Sequence, residues 1–360
     1  MKYNKWIFWD VIILMLFGLL MIYSSSSIWS EYKFGNSFHY FIYQGLFIII
    51  SIILITIISK IDYHIYYKLS TKILIISVIL LILVLIPGIG VIRNGSRSWF
   101  GIGSFGIQPS EFTKLSLIIF VSRYLAKSNK YMKDYKKGVF PILGILLFIF
   151  GLIMLEPDFG TGMIIVVSII ALLLIAGVKL KFFLIIGSIG IIGIIVLIII
   201  APYRIDRITS FLNPWSDPLG TGFQIIQSLY AIGPGGLLGM GLFNSRQKHF
   251  YLPEPQTDFI FSIISEELGV LGVIVVIALF SVILFCSIKV SLKCEESFGK
   301  YLSFGLTFQI ILQTILNLSV VIGLIPVTGV TLPFLSYGGS SLIISSISIG
   351  IILSISNYSK

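Results

Sequence analysis

Charge is what this 360-residue chain has least of. Only 11% of its residues are Asp, Glu, Lys or Arg, against 57% hydrophobic ones. Its mean hydropathy is +1.04. Soluble domains carry about 25% charged residues, so this chain has too little charge to cover a globular surface, and a cytosolic enzyme is excluded. Intrinsic disorder is excluded by the same apolar excess. Cysteine is scarce too: Cys286 sits in an apolar run and Cys294 beside Lys293. Neither has zinc-site spacing, and no disulfide framework is possible beyond a single bridge. The three histidines, His39, His64 and His249, are scattered and form no HExxH-type cluster. The glycine-rich stretch 233–241 matches neither GxGxxG nor GxxxxGK(S/T), which disfavours a nucleotide.

What is present in quantity is apolar runs long enough to cross a bilayer, about 20 residues each. Ten are legible, at roughly 7–27, 39–59, 72–92, 110–126, 139–155, 159–177, 180–201, 259–288, 301–323 and 336–357. The expected fold class is therefore all-α, a polytopic membrane protein with about ten transmembrane helices in a single domain, 1–360. The first run lacks a small-residue cleavage site and is expected to be an anchor, not a cleaved signal. The formal net charge of +10 is explained by topology and not by nucleic acid. With the N-terminus in the cytoplasm, 17 of the 25 Lys and Arg fall on the cytoplasmic side and 7 outside, with Lys114 inside a span. An even number of spans returns Lys360 to the inside, so both termini are expected to be cytoplasmic.

Two connections stand apart. The stretch from about 202 to 258 is the longest between spans and falls outside. It holds a polar and aromatic run (APYRIDRITSFLNPW), a short amphipathic helix candidate (GTGFQIIQSLYAIG) and a glycine turn expected to be flexible (GPGGLLGMG). Its Tyr, Phe, Trp and Leu content argues for docking onto the membrane face. The stretch 324–335, LIPVTGVTLPFL, has no charge but has Pro and Gly punctuation. It reads as a re-entrant or interfacial segment, tolerated where protein or water lines it. No internal repeat is visible.

Ionisable groups in or beside spans mark functional sites by default, and here they gather at the outer ends. Asp258 opens the eighth span in YLPEPQTDFIFSIISEELG. Pro253 and Pro255 are expected to hold the approach extended, and Thr257 or Asp258 to cap the helix. A cap and a catalytic carboxylate are compatible roles. Glu266 lies roughly 12 Å further along the axis, so it and Asp258 do not form a contacting pair. In QPSEFTK, Ser110 is a good N-cap, and Glu111 and Lys114 are neighbours on one face. A lysine in the first turn opposes the helix dipole and needs a partner: a structural ion pair or a phosphate contact. Arg93 and Arg97, with Trp99, read as interfacial anchors or as a headgroup-binding rim. Glu156, Asp158 and Thr161 in EPDFGTG make an outer turn, which a solvated loop also explains. Ser336, Gly338, Gly339, Ser340 and Ser341 sit at an outward-facing helix start. That start could hold a phosphate on its free N–H groups or simply permit close helix packing. Carboxylates, cations and aromatics at one membrane surface, above an apolar interior, suit an amphiphilic substrate with an anionic headgroup. They do not separate turnover from transport.

Five runs carry a resemblance over nearly the whole chain: NGSRSWFGIGSFGIQPSEFTK, EPDFGTG, APYRIDRITSFLNPWSDPLGTGFQIIQSLYAIGPGGLLGMGL, SRQKHFYLPEPQTDFIFSIISEELG and GLIPVTGVTLPFLSYGGSS. They resemble the SEDS family of shape, elongation, division and sporulation proteins, and the APYR…NPW and QKHFYLPEPQTDF wording is nearer its FtsW and SpoVE members than RodA. The resemblance implies a ten-span fold and a peptidoglycan glycosyltransferase. That enzyme would polymerise lipid II on the outer face of the bacterial cytoplasmic (inner) membrane, for division or spore cortex synthesis. It implies that Asp258 matches the family's essential aspartate, and that Arg97, Glu111, Lys114, Glu156 and Asp158 match its charged motif positions. Glu156 stands where Gln is commoner. The implied partners are a class B penicillin-binding protein, a transpeptidase, and other cell-wall or divisome proteins.

The mechanism expected from these residues makes Asp258 the general base for the acceptor 4-hydroxyl. Arg97 and Lys114 are the candidates to receive the leaving diphosphate. A divalent cation, Mg²⁺ or Mn²⁺, is a plausible helper, and Asp258 could serve as its ligand instead. Two rivals remain: a lipid II flippase, and a non-catalytic recruiter of the transpeptidase. A flippase should carry polar groups through the full depth of the bundle.

Overall fold

The computed structural model describes residues 2–93, 95–101, 106–128, 135–185, 187–188, 190, 193, 211–220 and 222–358. Backbone polar groups in hydrocarbon must be satisfied within the segment, so the apolar runs fold as helices. They are α1 (Lys2–Phe34), α2 (His39–Ile58), α3 (His64–Leu85), α4 (Pro109–Ser128), α5 (Phe140–Leu155), α6 (Phe159–Ile175), α7 (Phe223–Ile232), α8 (Ile260–Lys293), α9 (Ser297–Val321) and α10 (Gly339–Tyr358). Among the described residues, α1, α2, α3, α8, α9 and α10 are long and apolar enough to cross a membrane. Helices α5 and α6 are apolar but shorter, and α4 carries Glu111, Lys114, Arg123 and Lys127. The expected seventh span, 180–201, is described only in part, and its residues 180–185 are helical. Arg204 and Arg207 of the outer loop lie outside the described residues.

Helix α9 is the hub, packing on α4, α6, α8 and α10, while α10 lies along α2 and α1 along α8. One hydrophobic cluster draws on all these helices and on α3 and α5. Large apolar side chains also face outward, among them Ile13 and Leu16 of α1, Ile53 of α2, Leu147 of α5 and Phe285 of α8. An outward apolar face suits lipid, not water.

The third span is displaced from its expected position at 72–92. Asp62 Oδ1 accepts the His64 N–H at 3.0 Å and starts the helix early. Pro87 forces Ile86 into an extended conformation (ψ 126°) and stops it. Val91 and Ile92, expected in the span, belong instead to an antiparallel hairpin, β1 (Val91–Arg93) with β2 (Ser96–Trp99).

Helix α8 is broken one quarter of the way along, at Gly269 (φ 62°, ψ −155°). The glycine segment 235–241 lies against the break. Val270 and Leu271 donate to the carbonyls of Gly236 and Leu237 at 3.0 and 3.3 Å. The freed carbonyls of Glu266 and Glu267 accept from Met240 and Gly241 at 2.9 and 3.0 Å. The segment thus supplies the backbone partners that one helical turn gives up. A Cβ on Gly269 would stand 2.4 Å from Gly239 N, and one on Gly239 would stand 2.1 Å from the Glu267 carbonyl oxygen. The stretch expected to be a flexible turn is therefore an inserted, hydrogen-bonded part of the helix.

Candidate active site

Asp258 lies just before α8, where two irregular segments, 252–258 and 324–338, meet over the ends of α9 and α10. The approach to it is not extended. Glu254, between the two prolines, has φ 44°, and both the N–H and the hydroxyl of Thr257 donate to the Glu254 carbonyl. Left-handed backbone at a non-glycine residue is costly and tends to persist at functional sites. Neither Thr257 nor Asp258 caps α8, whose N-cap is Phe259 without a side-chain bond. The Asp258 carboxylate has no hydrogen-bond partner among the described residues. Gly329 (φ 72°) lies beside it, where a Cβ would stand 3.8 Å from Oδ2. The residue keeps a partly exposed surface. Burial, and after it the charges of Glu254 and Asp158, push its carboxyl up to about 6.

The segments around Asp258 are tied down by polar side chains that periodicity did not single out. Asn317 of α9 donates to the carbonyls of Asp258 and Val330, both at 2.7 Å. Gln313, one turn away, donates to the Thr331 carbonyl at 3.0 Å and to Ser341 Oγ at 3.3 Å. Ser336 Oγ donates to the Thr257 carbonyl at 2.6 Å, and the Tyr337 N–H to that of Gln256 at 2.8 Å. A run of amides and hydroxyls along an otherwise apolar helix was the only sequence signal for Gln313 and Asn317.

Glu111 and Lys114 form the expected pair, at 2.8 Å. Lys114 is only 3% exposed and also donates to Gln313 Oε1 at 2.8 Å. It is spent within the protein, so the expectation that it meets a diphosphate directly is not met by this arrangement. Ser110 does not cap α4, which begins at Pro109. Its hydroxyl donates instead to Asp158 Oδ2 at 3.2 Å. Asp158 is the N-cap of α6, accepting the Thr161 N–H at 3.1 Å and Gln108 Nε2 at 2.9 Å. It joins α4 to α6 and is no solvated loop residue. Ser340 bonds the Gly106 carbonyl at 2.9 Å and accepts the Gln108 N–H at 3.1 Å. Its hydroxyl staples the chain ahead of α4, because the helix starts at Gly339 and turns that side chain inward. Arg97 is half-buried on β2 and reaches the Leu85 carbonyl at the end of α3, at 3.5 Å. Arg93 stacks on Trp99 at 5.1 Å, a cation–π contact.

Glu156 is fully buried, and both its carboxyl oxygens lack a partner among the described residues. Burial first, and then the Asp158 charge, pushes its carboxyl up to about 9, so it is neutral at pH 7. Glu266 and Glu267 are buried on α8 and hold the returning loop. Arg246 N donates to Glu266 Oε1 at 2.8 Å and Ser245 N to Glu267 Oε1 at 3.2 Å. Ser24 of α1 donates to both oxygens of Glu267, at 2.6 and 2.8 Å. Lys248 stands 3.5 Å from the same carboxylate. Among the described residues, no group of three or more His, Cys, Asp or Glu gathers as a metal-ligand set.

These features define a polytopic membrane protein whose unpaired carboxylate sits at one end of the bundle, under two interlocked loops. The chain belongs to the FtsW/RodA/SpoVE family, whose model, described as cell cycle protein, matches residues 5–360. It is 50% identical over 349 residues to stage V sporulation protein E of Bacillus subtilis (strain 168), covering 97% of this chain and 95% of that one. It is 39% identical over 354 residues to a probable peptidoglycan glycosyltransferase FtsW of Geobacter sp. (strain M18), covering 97% and 96%. Among solved structures it is similar to a chain of a peptidoglycan synthase complex, with TM-score 0.75, 27% identity and 97% of each chain covered. It also shares the fold of the Thermus thermophilus rod shape determining protein RodA, with TM-score 0.71, 24% identity and coverage of 98% and 97%.

Proposed function

We propose that the chain is a peptidoglycan glycosyltransferase that polymerises lipid II at the outer face of the bacterial cytoplasmic membrane. The observation that carries this reading is the Asp258 carboxylate: partly exposed, without a hydrogen bond, and raised in pKa while its backbone is firmly held. Such a group is largely ionised at pH 7 yet more basic than an ordinary carboxylate, as a general base requires. The acceptor 4-hydroxyl gives its proton to Asp258 as its oxygen bonds to the donor's anomeric carbon. The bond from that carbon to the diphosphate breaks, the electron pair leaves with the undecaprenyl diphosphate, and the anomeric centre inverts. Arg97 is the cation best placed to meet a headgroup, because Lys114 is neutralised by Glu111 inside the bundle. A divalent cation could take Asp258 as a protein ligand and its other ligands from phosphate and water, a common arrangement for Mg²⁺. Its chemistry would be to offset charge on the diphosphate. The expected partner is a class B penicillin-binding protein, in keeping with the relative solved within a peptidoglycan synthase complex.

A flippase remains the alternative, and one observation favours it. Uncharged polar groups do run deep into the bundle: Ser51, Ser122, Ser168 and Gln309 are buried with an unpartnered polar atom. Polar groups are therefore not confined to the outer edge, as expected of an enzyme working there; hydroxyls and amides run through the bundle, and Asp10 is buried in the first turns of α1. One assay separates the readings. The protein, purified with its transpeptidase and given lipid II with contaminating polymerases inhibited, makes glycan strands, and Asp258→Ala does not. Full polymer from Asp258→Ala refutes the base. No polymer from either form, with headgroups crossing liposomes, supports the flippase.

A further inference from the structure

The carboxylate of Asp258 has no hydrogen-bond partner among the described residues, so its placement depends on its backbone. That backbone is pinned at three consecutive carbonyls. Gln256 O accepts from the Tyr337 N–H, Thr257 O from Ser336 Oγ and Asp258 O from Asn317 Nδ2. The first two donors come from the neighbouring loop. Asn317 alone among the three reaches up from a membrane helix. Its amide carries two hydrogens, and both are used, on Asp258 O and Val330 O, each at 2.7 Å. Two carbonyl acceptors leave no freedom to flip the amide, since its own oxygen would then face theirs. Val330 follows Gly329, where a Cβ would stand 3.8 Å from the carboxylate, so one side chain ties both the Asp258 backbone and the segment beside its carboxylate to α9. Gln313 repeats the pattern one turn along, on Thr331.

We propose that Asn317 is a positioning residue for Asp258: it sets the distance and direction of the base by clamping the Asp258 and Val330 carbonyls to α9. The inference rests on Asp258 being the base. Misplacing a reacting group by about 1 Å costs roughly 100-fold in rate, which sets the scale of the effect.

The test uses the full chain with its transpeptidase, on lipid II, with Asn317→Ala, Asn317→Ser and Asn317→Gln beside Asp258→Asn. Thermal melting in detergent reports folding. Asn317→Ala is expected to lower kcat about 10- to 100-fold with KM for lipid II changed less than about twofold. The acidic limb of its pH–rate profile should move below that of wild type, as the carboxylate drifts from Glu254, Asp158 and its desolvated seat. Asn317→Gln, which keeps both donors, is expected to recover part of kcat. Asn317→Ser keeps one donor and carries the test should the alanine variant not fold. Wild-type kcat and pH profile in folded Asn317→Ala or Asn317→Ser, with Asp258→Asn inactive, overturn the inference and leave the base standing. An active Asp258→Asn overturns the base itself.

Discussion

Asp258 and Glu156 show how burial acts on one carboxyl group at a time. Both are raised in pKa, so each binds protons in the folded state at pH values where the unfolded chain has released them. Stability therefore falls as pH rises from the unfolded pKa through the folded one. For Asp258 that window runs from about 4 to about 6. Asp258→Asn should abolish polymerisation while raising stability at pH 7 by about 1–2 kcal/mol, after allowance for its residual solvent contact. Melting temperatures across pH 4–8 would check this: both should fall, because Glu156 titrates in each, and the wild type should fall more steeply than the variant between about pH 4 and 6. For Glu156 the window runs from about 4.5 to about 9. Glu156→Gln replaces a neutral acid with a neutral amide of the same shape. It should keep activity and gain about 1–3 kcal/mol at pH 7, and a variant that melts lower than wild type there would contradict the neutral state. The sequence placed both carboxylates at the outer rim. It could not show that Glu156 is walled off, because the partners that exclude water from it are distant in the chain.

At the scale of elements, long apolar helices were legible from hydropathy, and their ends were not. The start of α3 depends on an Asp62 bond and its end on Pro87, both local signals that a search for apolar length passes over. The break in α8 is a different case. Gly269 and the glycines at 235–241 were visible, but only their contact explains them, since each needs the other's missing Cβ. Gly269→Ala should therefore cost about 2–5 kcal/mol, through left-handed backbone and overlap with Gly239, Leu237 and Gly235. Its melting temperature should fall, and limited proteolysis should open the 233–258 loop. An alanine variant with wild-type melting and an intact loop would show that the segment can withdraw. Polymerisation should be lost with the loop, because Glu266 and Glu267, which hold residues 245–247, lie on the same short stretch of α8.

Across the whole molecule, the lysine and arginine bias predicts Asp258 outside and both termini inside. Single cysteines test this in a chain with Cys286→Ser and Cys294→Ser. Leu219→Cys, on an 89% exposed loop residue, should react with an impermeant maleimide in intact cells. Glu295→Cys, exposed between α8 and α9, should react only after permeabilisation. The reverse pattern would invert the orientation and remove the site from the outer face.

Composition by itself determined that this chain lives in a membrane, because 11% charge cannot clothe a water-soluble surface. The distribution of lysine and arginine carried the expected topology, and the wording around Asp258 carried the kinship. Only the tertiary structure decided which polar groups are spent and which are available. Lys114, Asp158 and Ser340 read as candidate ligand groups, and each is bonded to a residue more than 40 positions away, Lys114 also to the expected Glu111. Asp258, in contrast, is partly exposed, and its carboxylate has no hydrogen-bond partner among the described residues. A hydrogen bond is a property of two places in space, and a sequence records one of them at a time.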